Sequence, residues 1–171
     1  MILSLMLMSL ATGTIITVSS THWLMAWVGL ELNTLSIIPI ITKHHHPRST
    51  EATTKYFLTQ AAASALLLFA STVNAWCTGT WDISQLTNQP ATVMLTMALA
   101  MKLGLAPLHF WLPEVLQGTT LSTALIITTW QKLAPMALMF LTQNSLSTTT
   151  LLTMGLLSTM IGGWGGLNQT Q

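Results

Sequence analysis

Glu31, Lys102 and Lys132 are residues whose chemistry disagrees with their surroundings. Each stands near the middle of a long apolar run, Trp23 to Thr42, Ala91 to Leu112 and Leu121 to Leu141 respectively. An ionisable side chain at the centre of a membrane-spanning helix costs about 2.5 to 3.5 kcal/mol, so three unpaired ones total on the order of 8 to 10 kcal/mol. A carboxylate and two amines at that depth are the parts of a proton path. Burial disfavours the charged amine, and a nearby carboxylate favours it. At about 4 Å and an effective dielectric near 20, one opposite charge is worth about 4 kcal/mol. Moving Glu31 toward or away from Lys102 therefore switches that lysine between protonated and neutral, and Lys132 gives the released proton somewhere to go. His109 extends the set, since imidazole exchanges protons near neutral pH; a lone histidine beside Trp111 is also the ordinary pattern of a packed interfacial residue. The three charges equally admit a fixed salt bridge that only orders helix packing.

Breaks in the helices fall in the same places. Lys102-Leu-Gly-Leu-Ala-Pro107 and Lys132-Leu-Ala-Pro135 each put proline a few residues after lysine. Proline removes a backbone donor and opens the helical ladder. In a membrane such a break is tolerated where the backbone faces protein or a water-filled cavity.

The elements that position these residues follow from composition. Of 171 residues, 51% are hydrophobic and 5% charged, against about 25% charged in a soluble domain. Six apolar runs of spanning length can be marked: Met1 to Ser20, Trp23 to Thr42, Tyr56 to Trp76, Ala91 to Leu112, Leu121 to Leu141 and Thr149 to Leu167. Because they are continuous rather than alternating, they predict an all-α polytopic transmembrane bundle of about six spans, with a broken helix near Lys102 to Pro113. The polar connection Lys43 to Lys55 holds every Lys and Arg outside the runs, which places it on the inner side. Cys77 to Pro90, with Asp82, then faces outward. Net charge is +1, so no nucleic-acid partner is expected; the partner of this surface is a lipid bilayer. No basic segment precedes the run Ile2 to Val18, so a retained Met1 is expected rather than a cleaved leader.

Other features read as structural. Cys77 stands alone and predicts no disulfide or cysteine-held cluster. His44, His45 and His46 on a basic loop lack carboxylate spacing and are expected to be solvated, with no metal bound. Gly162 and Gly166 have the spacing of close helix packing. The segment Gly162 to Gly166 does not match a dinucleotide loop. Asn168-Gln169-Thr170 fits a glycosylation sequon but falls on the inner side of this topology. Trp23, Trp76, Trp81 and Trp111 lie near run ends, where an aromatic belt would put them.

Several segments carry a family signature: Trp27-Val-Gly-Leu-Glu31-Leu-Asn33, Pro47-Arg-Ser-Thr-Glu-Ala52, Lys55-Tyr-Phe-Leu-Thr-Gln60, Met101-Lys-Leu-Gly-Leu-Ala-Pro-Leu-His-Phe-Trp111, Pro113-Glu-Val115, Thr129-Trp-Gln-Lys-Leu-Ala-Pro135 and Gly163-Trp-Gly-Gly-Leu-Asn-Gln-Thr-Gln171. Along the whole chain these closely resemble the antiporter-like core membrane-arm subunits of animal mitochondrial NADH dehydrogenase, respiratory complex I. The resemblance implies two five-helix repeats of inverted topology, with residues 1–141 as the first and 149–171 as the truncated start of the second. Members are about twice as long, so the chain is expected to be an N-terminal fragment. It implies a multi-pass protein of the mitochondrial inner membrane that works in proton translocation coupled to electron transfer from NADH to ubiquinone, with other membrane-arm subunits as partners. NADH and ubiquinone would be used by the complex, and no cofactor or redox centre would be bound by this chain. By the family pattern Glu31 is the paired glutamate, Lys102 the broken-helix lysine and Lys132 the connecting lysine. A stand-alone cation/proton antiporter and a non-pumping scaffold subunit are the competing functions.

Overall fold

In the hydrocarbon of a bilayer, where backbone N–H and C=O groups find no water, a continuous apolar run must satisfy them within itself, and helix is the form that does so. A computed structural model of the protein describes residues 2–42 and 46–168. Eight helices occur among the described residues: α1 (Ile2–Ser19), α2 (Trp23–Ile41), α3 (Pro47–Thr78), α4 (Gln89–Leu103), α5 (Trp111–Gln117), α6 (Leu121–Thr128), α7 (Trp130–Leu141) and α8 (Thr148–Leu167). The fold is all-α; an isolated bridge between His22 and Asp82 is the extended pairing seen among the described residues.

The expected fourth run is split, as the Lys102 to Pro113 pattern predicts. Helix α4 ends in Gly104 at φ +68, a conformation glycine adopts without a Cβ penalty. The Gly104 N–H donates to the Met101 carbonyl, and the Leu105 N–H to the Ala100 carbonyl at 3.0 Å, closing the helix in a Schellman-type turn. The chain then turns through 105–110 and re-enters as the short α5. The fifth run is interrupted at Thr129, where α6 gives way to α7. Taken singly, α2, α3 and Leu121–Leu141 are long and apolar enough to cross a membrane, while the apolar part of α1, Leu3–Ser19, is shorter.

The polar connection expected from Lys43 to Lys55 is largely helical. Lys43, His44 and His45 lie outside the described residues, so the solvated-histidine reading is met only at His46, whose Nδ1 accepts the Arg48 N–H at 3.2 Å and caps α3. Pro47 at the first helical position, where its missing donor costs nothing, extends the helix downward from that cap. At 32 residues, α3 is about 48 Å long, so its first turns project beyond a bilayer core of about 30 Å. The sequon beginning at Asn168 and the retained Met1 also involve residues outside those described.

The polarity of the bundle is inverted relative to a water-soluble protein. Asn33, Gln60, Ser64, Ser71 and Asn74 are buried, while Leu5, Met8, Ile15, Leu58, Phe69 and Phe140 are exposed. Helices α1 and α2 cross at glycines: a Cβ on Gly29 would meet Thr17 Cγ2 at 2.6 Å and the Gly13 carbonyl at 2.8 Å. Close approach of small residues is what holds helices together where lipid removes the hydrophobic driving force. Two separate apolar clusters result, one around Trp23, Leu30, Leu67 and Leu99, the other around Ile37, Tyr56, Trp111 and Ile127. Trp23 and Trp111, expected at an aromatic belt, are instead buried at 0% and 9% exposure, because their rings fill these clusters; Trp76 at 91% exposure keeps the belt pattern. Helix α8 has no fully buried residue.

The re-entrant α5 is seated on the start of α3 through Gly118. A Cβ there would meet Ala52 Cβ at 2.6 Å and the Arg48 carbonyl at 2.7 Å. Replacing Gly118 by alanine forces the two helices apart, and a destabilisation of about 1 to 3 kcal/mol is expected. Thermal unfolding of the purified protein in lipid nanodiscs measures it, and an unchanged midpoint would show that α5 is free to move.

Candidate functional site

The inner ends of the broken helices carry the ionisable residues. Lys102 occupies the last turn of α4, yet this helix end lies inside the bundle: the residue is 4% exposed and its Nζ has no hydrogen-bond partner within the protein. It does not snorkel past Gly104. Beside it lies a small cavity, with room for about one water molecule, lined by the polar Asn33, Thr34, Gln60 and Gln131 and by apolar and ring walls that include Leu30, Ile127, Tyr56 and Trp111.

Glu31, at the middle of α2, has a buried Oε2 without a partner. It makes no direct ion pair with either lysine: among the described residues the ion pairs join Lys55 to Glu51 and to Glu114. A fixed salt bridge between Glu31 and Lys102 is therefore not what holds these helices.

Lys132, in the first turn of α7, is half-buried. Its ammonium donates to the Leu103 carbonyl at the end of α4 and stands 5.4 Å from the centroid of the Trp111 ring. A cation at the carbonyl end of a helix is favoured by the helix dipole. Trp111 in turn donates from Nε1 to the Met101 carbonyl at 3.0 Å. Helix α7 is tied to α2 through Gln131, whose Nε2 donates to the Asn33 carbonyl at 3.2 Å. Lys132 is thus bonded to the carbonyl of the residue that follows Lys102 in the chain.

His109 is not joined to this group. Its ring packs on Phe110 with centroids 4.5 Å apart, its Nδ1 is buried without a partner, and it does not line the Lys102 cavity. Residues that the spacing argument passed over contribute more: Asn33, Gln60 and Gln131 line the Lys102 cavity together with Tyr56 and Trp111 of the second apolar cluster. Uncharged amides inside apolar runs were the available signal for the first three.

At the projecting end of α3, Lys55 Nζ lies 2.8 Å from Glu51 Oε1 and 2.8 Å from Glu114 Oε2. The second contact ties α5 to α3. Hydrogen bonding to Glu114 and then to Glu51 holds the Lys55 ammonium well above the ordinary lysine range. The hydrogen bond and charge of Lys55 hold the Glu51 carboxyl below its usual value.

An inverted-polarity helix bundle with two broken helices and unpaired buried charge at their ends defines a multi-pass membrane protein of the antiporter-like class. Residues 20–171 match the family described as NADH:quinone oxidoreductase/Mrp antiporter, TM. The chain belongs to that family. It is similar to NADH-ubiquinone oxidoreductase chain 2 of Oncorhynchus mykiss, with 62% identity over 170 residues covering 99% of this chain and 49% of that one. It is likewise similar to chain 2 of Xenopus laevis, with 64% identity over 168 residues covering 98% and 49%. The chain spans about half the length of the curated relatives it matches. Among solved structures, a chain of respiratory complex I from Thermus thermophilus superposes with a TM-score of 0.90 at 28% identity, over 98% of this chain and 40% of that one. A chain of the Mrp complex from Dietzia sp. DQ12-45-1b superposes with a TM-score of 0.71 at 18% identity, over 81% and 29%, and shares the fold.

The exposed Lys55 cluster yields a pH dependence. Glu51, with its lowered folded value, contributes stability above the ordinary carboxylate range and loses it as pH falls through that lowered value. Lys55, with its raised value, contributes fully below the ordinary lysine range and loses it only as pH rises through the raised value. Lys55→Met should therefore lower the melting temperature in nanodiscs by a small amount that is constant around neutrality and shrinks on acidification. A difference that persists in acid would mean that the charges are not the cause.

Proposed function

We propose that the protein works as a core membrane-arm subunit of respiratory complex I in the mitochondrial inner membrane, carrying protons through Glu31, Lys102 and Lys132 while the assembly transfers electrons from NADH to ubiquinone. The observation that carries this reading is Lys102 itself: it is 4% exposed, its amine has no hydrogen-bond partner, and it stands at a broken helix end on a small cavity that the amides of Asn33, Gln60 and Gln131 share. A group that served packing alone would be neutralised by a direct partner, because an unpaired buried charge is costly. Glu31, with a buried Oε2 that has no partner, is the carboxylate of the path, and burial sets its charge against that of a nearby amine. Lys132 on the adjoining carbonyl is the next acceptor along the same helix end. His109, outside the cavity, is assigned to packing in this scheme. Residues 1–141 act as the first antiporter-like repeat and α8 as the start of the second, in keeping with an α8 that has no fully buried residue and packs on the first cluster through Leu151. The redox chemistry, and with it the use of NADH and ubiquinone, belongs to other subunits of the assembly.

Lys102→Met in the full-length subunit of an assembled complex tests the reading. Loss of a positioned proton-transfer group slows transfer by about 10²-fold or more, so protons translocated per NADH oxidised should fall while NADH oxidation at the redox end persists. Undiminished stoichiometry would defeat the role given to Lys102.

A further inference from the structure

Trp111 makes more contacts with the charged groups than a packing residue needs. It is 9% exposed, its Nε1 donates to the Met101 carbonyl at 3.0 Å, and its ring face lies under the Lys132 ammonium at 5.4 Å. Tyr56 packs edge-on against it at 5.9 Å, and both line the cavity that Lys102 lines. A Cβ placed on Gly104 would stand 3.5 Å from Lys132 Nζ and 3.5 Å from Trp111 Cζ2, so lysine, indole and helix break converge on one point. An ammonium has three donors. The Leu103 carbonyl takes one, and the electron-rich face of the indole supplies a second electrostatic partner in a half-buried setting.

We infer that Trp111 is a positioning residue for proton transfer: its indole, anchored on the Met101 carbonyl, holds the Lys132 ammonium against the end of α4 beside the Lys102 cavity. The inference rests on the proton-path reading above. The ring is itself located from outside the membrane, because Trp111 opens α5, whose Glu114 is bonded to Lys55 and whose C-cap Gly118 abuts Ala52. Tryptophan rather than another large apolar residue suits the position, since it combines the strongest cation-binding face with a donor for a carbonyl that the broken helix leaves in an apolar interior.

The test uses the full-length subunit in the assembled complex, reconstituted in vesicles, with protons translocated per NADH oxidised as the readout. Trp111→Met keeps an apolar side chain and removes the ring with its Nε1 donor; proton transfer should fall at least about threefold. In a Lys132→Met background the same change should add nothing, as expected for two residues acting through one contact. An equal loss in both backgrounds, or no loss in either, overturns the inference. If Trp111→Met does not assemble, Trp111→Tyr and Trp111→Phe decide: stoichiometry falling from Trp through Tyr to Phe follows the cation-binding strength of the ring and supports it, and a flat series overturns it. Lys102→Met measured alongside separates the two claims. If that variant is impaired and the Trp111 series is flat, only the positioning role fails; if it behaves as wild type, the proton-path reading fails and takes this inference with it.

Discussion

A helix that stops inside a membrane exposes carbonyls that no water can reach, and each one left without a partner costs several kcal/mol. The rest of this structure is arranged around that constraint at Gly104. The Ala100 carbonyl is taken by the Leu105 N–H, and the Met101 carbonyl by the Gly104 N–H and the Trp111 indole. The Leu103 carbonyl receives the Lys132 ammonium. Two donors at the break thus come from the turn itself, and two more come from the side chains of Trp111 and Lys132. Structural satisfaction of the helix end and placement of Lys132 are the same set of hydrogen bonds.

Around this break the bundle divides its labour between two apolar clusters and a group of polar residues. The clusters contain Trp23, Leu99 and Leu138 on one side and Ile37, Val115 and Ile127 on the other. Asn33, Gln60, Gln131 and Lys102 line one cavity with Tyr56 and Trp111. In lipid the apolar residues gain little by turning inward, so helix contact depends on fit and on interior polar bonds. Gly13 against Gly29 and Gly118 against Ala52 supply the fit, and the Gln131 to Asn33 carbonyl bond supplies a polar tie across helices far apart in sequence. The exposed leucines, methionines and phenylalanines then face lipid.

Glu31 makes no ion pair with either lysine among the described residues, and its buried Oε2 has no partner. The charges that do pair directly are exposed: Glu51 and Lys55 on the first turns of α3, and Glu114 on α5, which Lys55 ties to α3.

Much of this was legible in the sequence because membrane solvent imposes strong one-dimensional rules. Continuous apolar runs dictated helices, glycine with a following proline dictated the break after Lys102, and three charges in those runs marked the site. The same rules misread Pro47 to Lys55 as loop, since a polar helix projecting past the bilayer has the composition of a connection. They misread Trp23 and Trp111 as interfacial, since position near a run's end says nothing of which way a ring turns. Only the tertiary structure decided that Lys102 is buried at its helix end, that Glu31 makes no ion pair with it, that Lys132 closes the Leu103 carbonyl, and that the His109 ring packs on Phe110. The first three depend on how helices distant in sequence are rotated and how deeply they are set against one another, and packing at Gly29, Gly118 and Asn33 settles that rotation and depth.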